Sequence, residues 1–188
     1  GPGVTILICS NVVYPAKGDY SIAQQRNPLF NADKEVFMPD LVDLEIIMLS
    51  RVPIIVIETF EEPRALDLIK RAGMKLQKPV FSWSVTEGVQ RIDLAHGVPE
   101  HLTTEPDAAL VHIKQTGRAG VYILCDFHPF LCDAPKNVRL LKEIAMGHDE
   151  HHHTLILLSH ALDIPPEIQR YCARMDLSLP NDEQLMHL

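Results

Sequence analysis

The 188-residue sequence lacks several features that would place it outside the ordinary globular class. No apolar stretch approaches the roughly 20 residues that a membrane-spanning helix needs, and the longest apolar runs have the length of strands. Four cysteines are too few for a dense disulfide framework, which favours a reducing, cytoplasmic compartment. Hydrophobic residues make up 46% and charged residues 22%, proportions typical of a folded domain rather than a disordered chain.

Positive charge is also scarce in this chain. Lys and Arg number 17 against 25 Asp and Glu, which gives a formal charge of −8 at neutral pH. The sequence contains no basic run, and proteins bind phosphate backbones through basic patches. We therefore expect neither nucleic acid nor a membrane among the partners. The length suits one ordinary hydrophobic core.

A change in composition near Met38 divides the chain into two parts. Residues 1–37 predict an N-terminal arm, with a strand at 4–10 followed by a loop rich in Pro, Gly, Asn and Asp. About thirty residues with such weak periodicity are unusual inside a compact domain. We place the boundary at Met38 and expect residues 38–188 to form one α/β domain.

After Met38 the sequence alternates between apolar strands and amphipathic helices. The predicted strands cover 53–59, 79–84, 120–126, 154–159 and 174–179, and the predicted helices cover 39–51, 62–72, 106–116, 137–146 and 165–172. Gly73 predicts the end of the second helix. Because the strands are apolar on both sides, the pattern predicts a three-layer α/β fold, a parallel sheet with helices on both faces. The spacing resembles that of a degenerate P-loop NTPase core of the RecA-like type.

The carboxyl ends of the predicted strands carry the candidate functional residues, because open parallel sheets bind ligands there. The stretch 121–126 resembles a Walker B strand, whose final acid would hold a Mg²⁺-bound water. The same rule places Ser84, Thr86 and His160 at this edge. The positions equivalent to a nucleotide site are Glu58, Thr59, Glu61, Glu62 and Arg64 after the first strand, Asp126 and His128 after the third, and Ser159 after the fourth.

The turn after the first strand, residues 58–64, lacks the residues that bind phosphate. A phosphate-binding loop has the pattern G-x-x-x-x-G-K-[ST], in which glycines let backbone N–H groups converge and the lysine meets the charge. This turn contains neither glycine nor lysine, and Glu61 and Glu62 are predicted to cap the following helix in place of an anion. Phe127 stands where an ATPase would carry a second acid. These features predict an NTPase-like fold without a nucleotide cofactor.

Four segments taken together resemble one known family. The segments are RVPIIVIETFEE at 51–62, PVFSWSVTEG at 79–88, CDFHPFL at 125–131 and LLSHALDIPPE at 157–167. In this order they resemble the N-terminal domain of a family of AAA-type ATPases, known in algae as hypothetical chloroplast reading-frame proteins and widespread in bacteria. The resemblance implies a non-catalytic regulatory or assembly domain whose partner is a downstream AAA+ module. That module would bind ATP and Mg²⁺ and assemble into a ring.

Two other functions remain open from the residues themselves. A receiver-like phosphoacceptor domain could use Glu61, Glu62, Asp126 and Ser159, although residues 173–183 lack the lysine that such chemistry needs. A small-molecule enzyme could use a strand-end Glu or His. We interpret the turn 126–130 as structural, with its aromatic rings under the sheet, and the histidine-rich segment 148–153 as a solvated loop rather than a metal site.

Overall fold

The computed structural model describes residues 39–94 and 101–178, and the fold is given for these residues. The strands are β1 (Ile54–Glu58), β2 (Val80–Ser84), β3 (Gly88–Arg91), β4 (Gly120–Cys125), β5 (His153–Ser159) and β6 (Cys172–Met175). The α-helices are α1 (Pro39–Leu49), α2 (Glu62–Lys75), α3 (Pro106–Gln115), α4 (Pro135–Met146), α5 (His148–His151) and α6 (Pro166–Gln169), with 3-10 turns at His101–Thr103 and His128–Phe130. The predicted α/β class is confirmed.

The strands form one sheet in the order β3-β2-β4-β5-β1-β6, and every neighbouring pair is parallel except β2 with β3. All residues of β4 and β5 are buried, as expected for strands covered on both faces. From β1 the chain crosses to β2 and then returns through β4 and β5. The carboxyl ends of β1 and β5 therefore flank a topological switch point, the position where open α/β sheets bind ligands.

Two apolar cores lie on opposite faces of this sheet. The buried residues of α1 and α2 pack with Ile55 and Ile57 of β1 on one face. The buried residues of α3, α4 and α6 pack with Ile54 and Val56 on the other. Successive residues of β1 enter opposite cores because side chains alternate along a strand. The predicted three-layer arrangement is thus confirmed, whereas the narrower comparison with a P-loop core stays a prediction.

Two predictions about the elements are wrong. Gly73 does not end α2, which continues to Lys75. It lies instead where α2 meets β2, and a Cβ built there would stand 2.3 Å from Cγ2 of Val80. The predicted strict alternation also omits β3, which forms a hairpin with β2 through residues 85–87. Gly88 follows this turn with φ of 77°, a left-handed conformation that favours glycine. A glycine at the end of a short turn is a sequence signal for a hairpin.

The last predicted elements are shifted, and others fall outside the structure. The helix predicted at 165–172 is limited to α6, and the strand predicted at 174–179 lies at β6. The predicted strand at 4–10, the loop at 11–37 and the boundary at Met38 lie outside the described residues. None of the helices in ranges 39–94 and 101–178 combines the length and the apolar character needed to cross a membrane.

The histidine-rich segment is not the solvated loop that the sequence predicts. His148 begins α5 and is buried, as is His153 at the start of β5. Nδ1–H of His148 donates to the carbonyl of His153 at 2.7 Å, and the His153 ring packs edge-on against Tyr122. Burial, followed by the charge of His151, lowers the pKa of His153. Only part of this segment, including His151 and His152, is exposed.

Candidate functional site

The ends of β4 and β5 bring four polar side chains together beside the switch point. Cys125 pairs with Leu158 in the sheet, so the residues that follow, Asp126 and Ser159, lie side by side. The backbone N–H of Asp126 continues the ladder by donating to the carbonyl of Leu158 at 2.9 Å. His128 comes from the 3-10 turn after β4, and His160 directly follows β5.

Ser159 is the centre of the hydrogen bonds in this group. Its hydroxyl is buried and donates to Oδ1 of Asp126 at 3.3 Å. The same Oγ lies 2.6 Å from Nδ1 of His128. Because the one hydroxyl proton goes to the carboxylate, we assign Oγ as the acceptor of Nδ1–H from His128. The lone pair of neutral His128 then lies on Nε2.

This arrangement is not a catalytic triad. In a Ser-His-Asp triad the carboxylate contacts the imidazole on the side away from the serine and holds its tautomer. Here Asp126 and His128 both contact Ser159 instead. The hydroxyl orients the two side chains, so the geometry supports a binding role for them better than nucleophilic catalysis.

His160 completes the group on its exposed side. Its ring lies edge-on to that of His128, with centroids 4.8 Å apart, and it stacks on Phe60 at 5.7 Å. One potential ligand atom from each of Asp126, His128 and His160 lies within 4.8 Å of the others. Asp126 and His160 are exposed and His128 is half-buried. The sequence places His160 at this edge, but it does not show that the residue joins Asp126 and His128.

Glu58, at the end of β1, has a structural ion pair. Its Oε1 accepts a bond from Nη1 of Arg174 at 2.7 Å and another from the backbone N–H of Leu162 at 3.0 Å. Nη2 of Arg174 also donates to the carbonyl of Leu162 at 3.0 Å. This side chain therefore ties β1 to β6 and to the segment after β5.

Arg64, the only cation of the turn 58–64, is also engaged. Its Nη1 donates to Glu61 at 2.9 Å, and its Nη2 donates to Asp40 at 3.2 Å and to the carbonyl of Ser178 at 2.7 Å. The prediction that the Glu61 carboxylate caps α2 is wrong, since within the described residues it makes no cap hydrogen bond and pairs with Arg64. Oγ1 of Thr59 instead accepts from the N–H of Glu61 at 3.0 Å.

The first turn of α2 nevertheless keeps a negative charge. Glu62 is the first residue of the helix, where a carboxylate interacts favourably with the N–H groups of the first turn.

Burial, followed by the charges of Glu62 and Asp126, raises the pKa of Cys125 to about 12. The thiol next to the site is thus protonated at neutral pH, and it is a core residue rather than a nucleophile or a ligand.

Phe127 explains why no second acid follows Asp126. The ring is fully buried and packs against Trp83 and Phe130, with centroid distances of 5.2 and 5.7 Å. A carboxylate at this position would enter the apolar core without a partner, which is costly. The predicted packing of the aromatic rings of this turn is confirmed, and the Asp126 side chain contacts Ser159.

The candidate residues therefore separate into two groups. Asp126, His128 and Ser159 lie together with His160, whereas Glu58, Glu61 and Arg64 are engaged in ion pairs that hold the strand ends. The sequence reasoning missed the partners Arg174, Asp40 and Ser178. Arg174 is 116 residues from Glu58 and Asp40 is 138 residues from Ser178, and nothing local in the sequence marks either pair.

The chain matches one family model and is similar to AAA domain-containing proteins. The model of the family described as "SpoVK-like AAA ATPase, N-terminal domain" matches residues 41–177. The chain is 28% identical over 155 residues to an uncharacterized AAA domain-containing protein, ycf46, of Guillardia theta, covering 81% of this chain and 30% of that protein. It is 28% identical over 144 residues to the ycf46 protein of Pyropia yezoensis, covering 74% of this chain and 28% of that protein.

A solved structure, that of Drosophila ORC bound to GC-rich DNA and Cdc6, is similar at a TM-score of 0.39 and 11% identity, covering 88% of this chain and 36% of that chain. This chain spans about 30% of the length of the curated relatives that it matches. The family model covers well over half of the chain, in the region that forms the sheet and its helices. The chain therefore belongs to the SpoVK-like AAA ATPase N-terminal domain family.

Proposed function

We propose that this domain is a non-hydrolysing regulatory or assembly domain that acts on an AAA+ module of the same protein. The observation that carries the proposal is the turn between β1 and α2, residues 58–64, which we call the closed turn because Glu58 and Arg64 are already paired. Glu58 and Arg64 each bind partners from other elements there, so the turn is fixed by ion pairs at the position where a nucleotide-binding core would bind phosphate.

The chemistry of this turn opposes phosphate binding. A triphosphate needs converging backbone N–H groups and an available cation at a helix N-terminus. Here Glu61 and Glu62 stand at the start of α2, and the guanidinium of Arg64 is shared among Asp40, Glu61 and a carbonyl. Negative charge at this position repels a phosphate, which supports a P-loop-like core that no longer holds nucleotide.

The outer face of α1 supports an assembly role. Leu41, Leu44 and Ile47 face the core, yet Val42 and Ile46 on the other side are 40% and 46% exposed. A helix that is apolar on both sides is usually covered on both sides. We infer that this face contacts the rest of the protein, in which an AAA+ module binds ATP and Mg²⁺ and forms a ring-shaped oligomer.

Titration calorimetry of this chain with Mg-ATP tests whether the domain holds nucleotide. We expect no saturable heat. Micromolar binding that is lost in the Asp126→Ala variant would overturn the proposal, because it would show that the residue after β4 still serves a nucleotide site.

A second experiment tests the regulatory role in the longer protein. We expect removal of residues 39–178 to change either ring assembly, measured by light scattering, or the rate of ATP hydrolysis. Identical assembly and turnover with and without the domain would contradict the proposal.

A further inference from the structure

The group formed by Asp126, His128 and His160 has no role in the function proposed above. We propose that these three side chains bind one Zn²⁺ ion at the ends of β4 and β5. The proposal goes beyond the regulatory function, which requires no metal in this domain, and it rests on a different set of side chains from the closed turn.

The donor atoms match the preference of this ion. Zn²⁺ binds imidazole nitrogen and carboxylate oxygen, and sites with three protein ligands keep a fourth position for water or another ligand. The three candidate ligand atoms already lie within 4.8 Å of one another. Ligands about 2.0–2.1 Å from a tetrahedral Zn²⁺ are about 3.3–3.4 Å apart, so the most widely separated of these atoms need to close by at most about 1.5 Å.

That closure can take place without disturbing the core. Asp126 and His160 are exposed, and both follow the last residues of their strands, so their side chains can rotate while β4 and β5 stay paired. His128 is the least exposed of the three, and it would be the fixed point toward which the other two move.

Ser159 prepares His128 for this role. With Nδ1–H assigned as the donor to its Oγ, the lone pair of the His128 ring lies on Nε2, which is then the nitrogen available to a metal ion. Metal-binding histidines usually donate their other N–H in this way, which fixes the tautomer and the ring orientation. The hydroxyl also donates to Oδ1 of Asp126, so one buried group contacts two of the three ligands.

The second group of histidines, at the start of β5, is a weaker candidate. His148 uses Nδ1 to bind the carbonyl of His153, and both residues are buried. His151 and His152 are exposed, however, and could bind Zn²⁺ nonspecifically. Replacing these two therefore provides a control, because it removes exposed imidazoles from the same chain and leaves the three proposed ligands in place.

The experiment is titration of the metal-free chain with Zn²⁺ in the absence of nucleotide, with Co²⁺ as a spectroscopic probe. The test variants are Asp126→Asn and His160→Gln, and the control carries His151→Gln with His152→Asn. Asparagine is a suitable replacement at Asp126 because, like Asp, it tolerates the φ of 50° there. Thermal unfolding of each metal-free variant verifies the fold.

We expect the original chain and the control to bind one equivalent of Zn²⁺, and each test variant to bind at least about tenfold more weakly. Bound Co²⁺ should give a visible spectrum that the test variants lose. Absence of a stoichiometric equivalent, or loss of binding in the control but not in the test variants, would overturn the proposal. Because ATP is omitted, neither result depends on whether the domain binds nucleotide.

Ser159→Ala separates positioning from ligation. We expect this variant to bind Zn²⁺ about tenfold more weakly while keeping a Co²⁺ spectrum, because the hydroxyl orients His128 but is not a ligand. Binding equal to that of the original chain would contradict the role given to Ser159.

Discussion

Gly73 determines how closely α2 can approach β2. A Cβ at this position would stand 2.3 Å from Cγ2 of Val80 and 3.0 Å from the carbonyl oxygen of Lys78. Both neighbours resist displacement, since valine is stiff at χ1 and the carbonyl belongs to the backbone. The glycine is thus required by packing in the interior of a helix, where its own conformational freedom is a disadvantage.

We expect Gly73→Ala to lower the free energy of unfolding by about 1–3 kcal/mol, because overpacking outweighs the better helix propensity of alanine. Urea denaturation measures the change. Gly117→Ala is the matched control, as a Cβ there meets nothing within 4 Å. Equal stability of the Gly73 variant and the original chain would show that α2 can move away from β2 without cost.

At the scale of residues, the sequence predicts where in the fold a side chain lies better than it predicts which side chains it contacts. Asp126 and Ser159 could be placed at one edge because the apolar strands before them are easily recognised and parallel strands end together. The ion pair of Glu58 with Arg174 depends instead on how β6 joins the sheet beside β1. A single sequence carries no signal for a pair so far apart along the chain.

At the scale of elements, the 3-10 turn His101–Thr103 is fixed to the hairpin of β2 and β3 by one residue. Nε1–H of Trp83 donates to the carbonyl of Thr103 at 2.6 Å, and the N–H of Val89 donates to its Oγ1 at 2.7 Å. Thr103 is 5% exposed. Because β3 is an edge strand paired only with β2 in the described sheet, this threonine supplies a bond that holds its outer side.

We expect Thr103→Val to lower the free energy of unfolding by about 1–3 kcal/mol, because it keeps the shape but leaves the N–H of Val89 buried without its acceptor. Urea denaturation measures the loss, and the fluorescence of Trp83, the only tryptophan, reports on the hairpin. Thr86→Val, in the exposed turn of the same hairpin, is the control. A loss no larger than that of the control would contradict the anchoring role of Thr103.

The elements that the sequence predicts well are those with strong apolar patterns. β1, β4 and β5 are continuous apolar runs, and α2 and α4 have clear amphipathic spacing. The short helix α5 has no such pattern, whereas Gly88 is the one local signal for β3. The local pattern misplaces the end of α2 because packing against β2 keeps Gly73 inside the helix.

At the scale of the whole molecule, the two faces of the sheet are covered differently. On the face that carries α1 and α2, helix α1 also has apolar side chains on the side turned away from the core. These side chains, Val42, Ile46 and Leu49, follow the spacing i, i+4, i+7 and form a stripe with exposures of 40%, 46% and 64%. A stripe of this kind on a helix that already buries its inner face is suited to the contact that we propose with the rest of a larger assembly.

Replacing Ile46 by lysine tests that contact in the longer protein. The side chain is 46% exposed, so we expect Ile46→Lys to leave the unfolding of the isolated domain nearly unchanged, within about 0.5 kcal/mol. In the longer protein the buried charge would weaken the contact, and light scattering should show a smaller assembly. Val85→Lys is the control, because Val85 is 54% exposed in the hairpin turn, away from α1. If Ile46→Lys and Val85→Lys assemble alike, α1 is not the contact surface, and the assembly role must rest on another face of the domain.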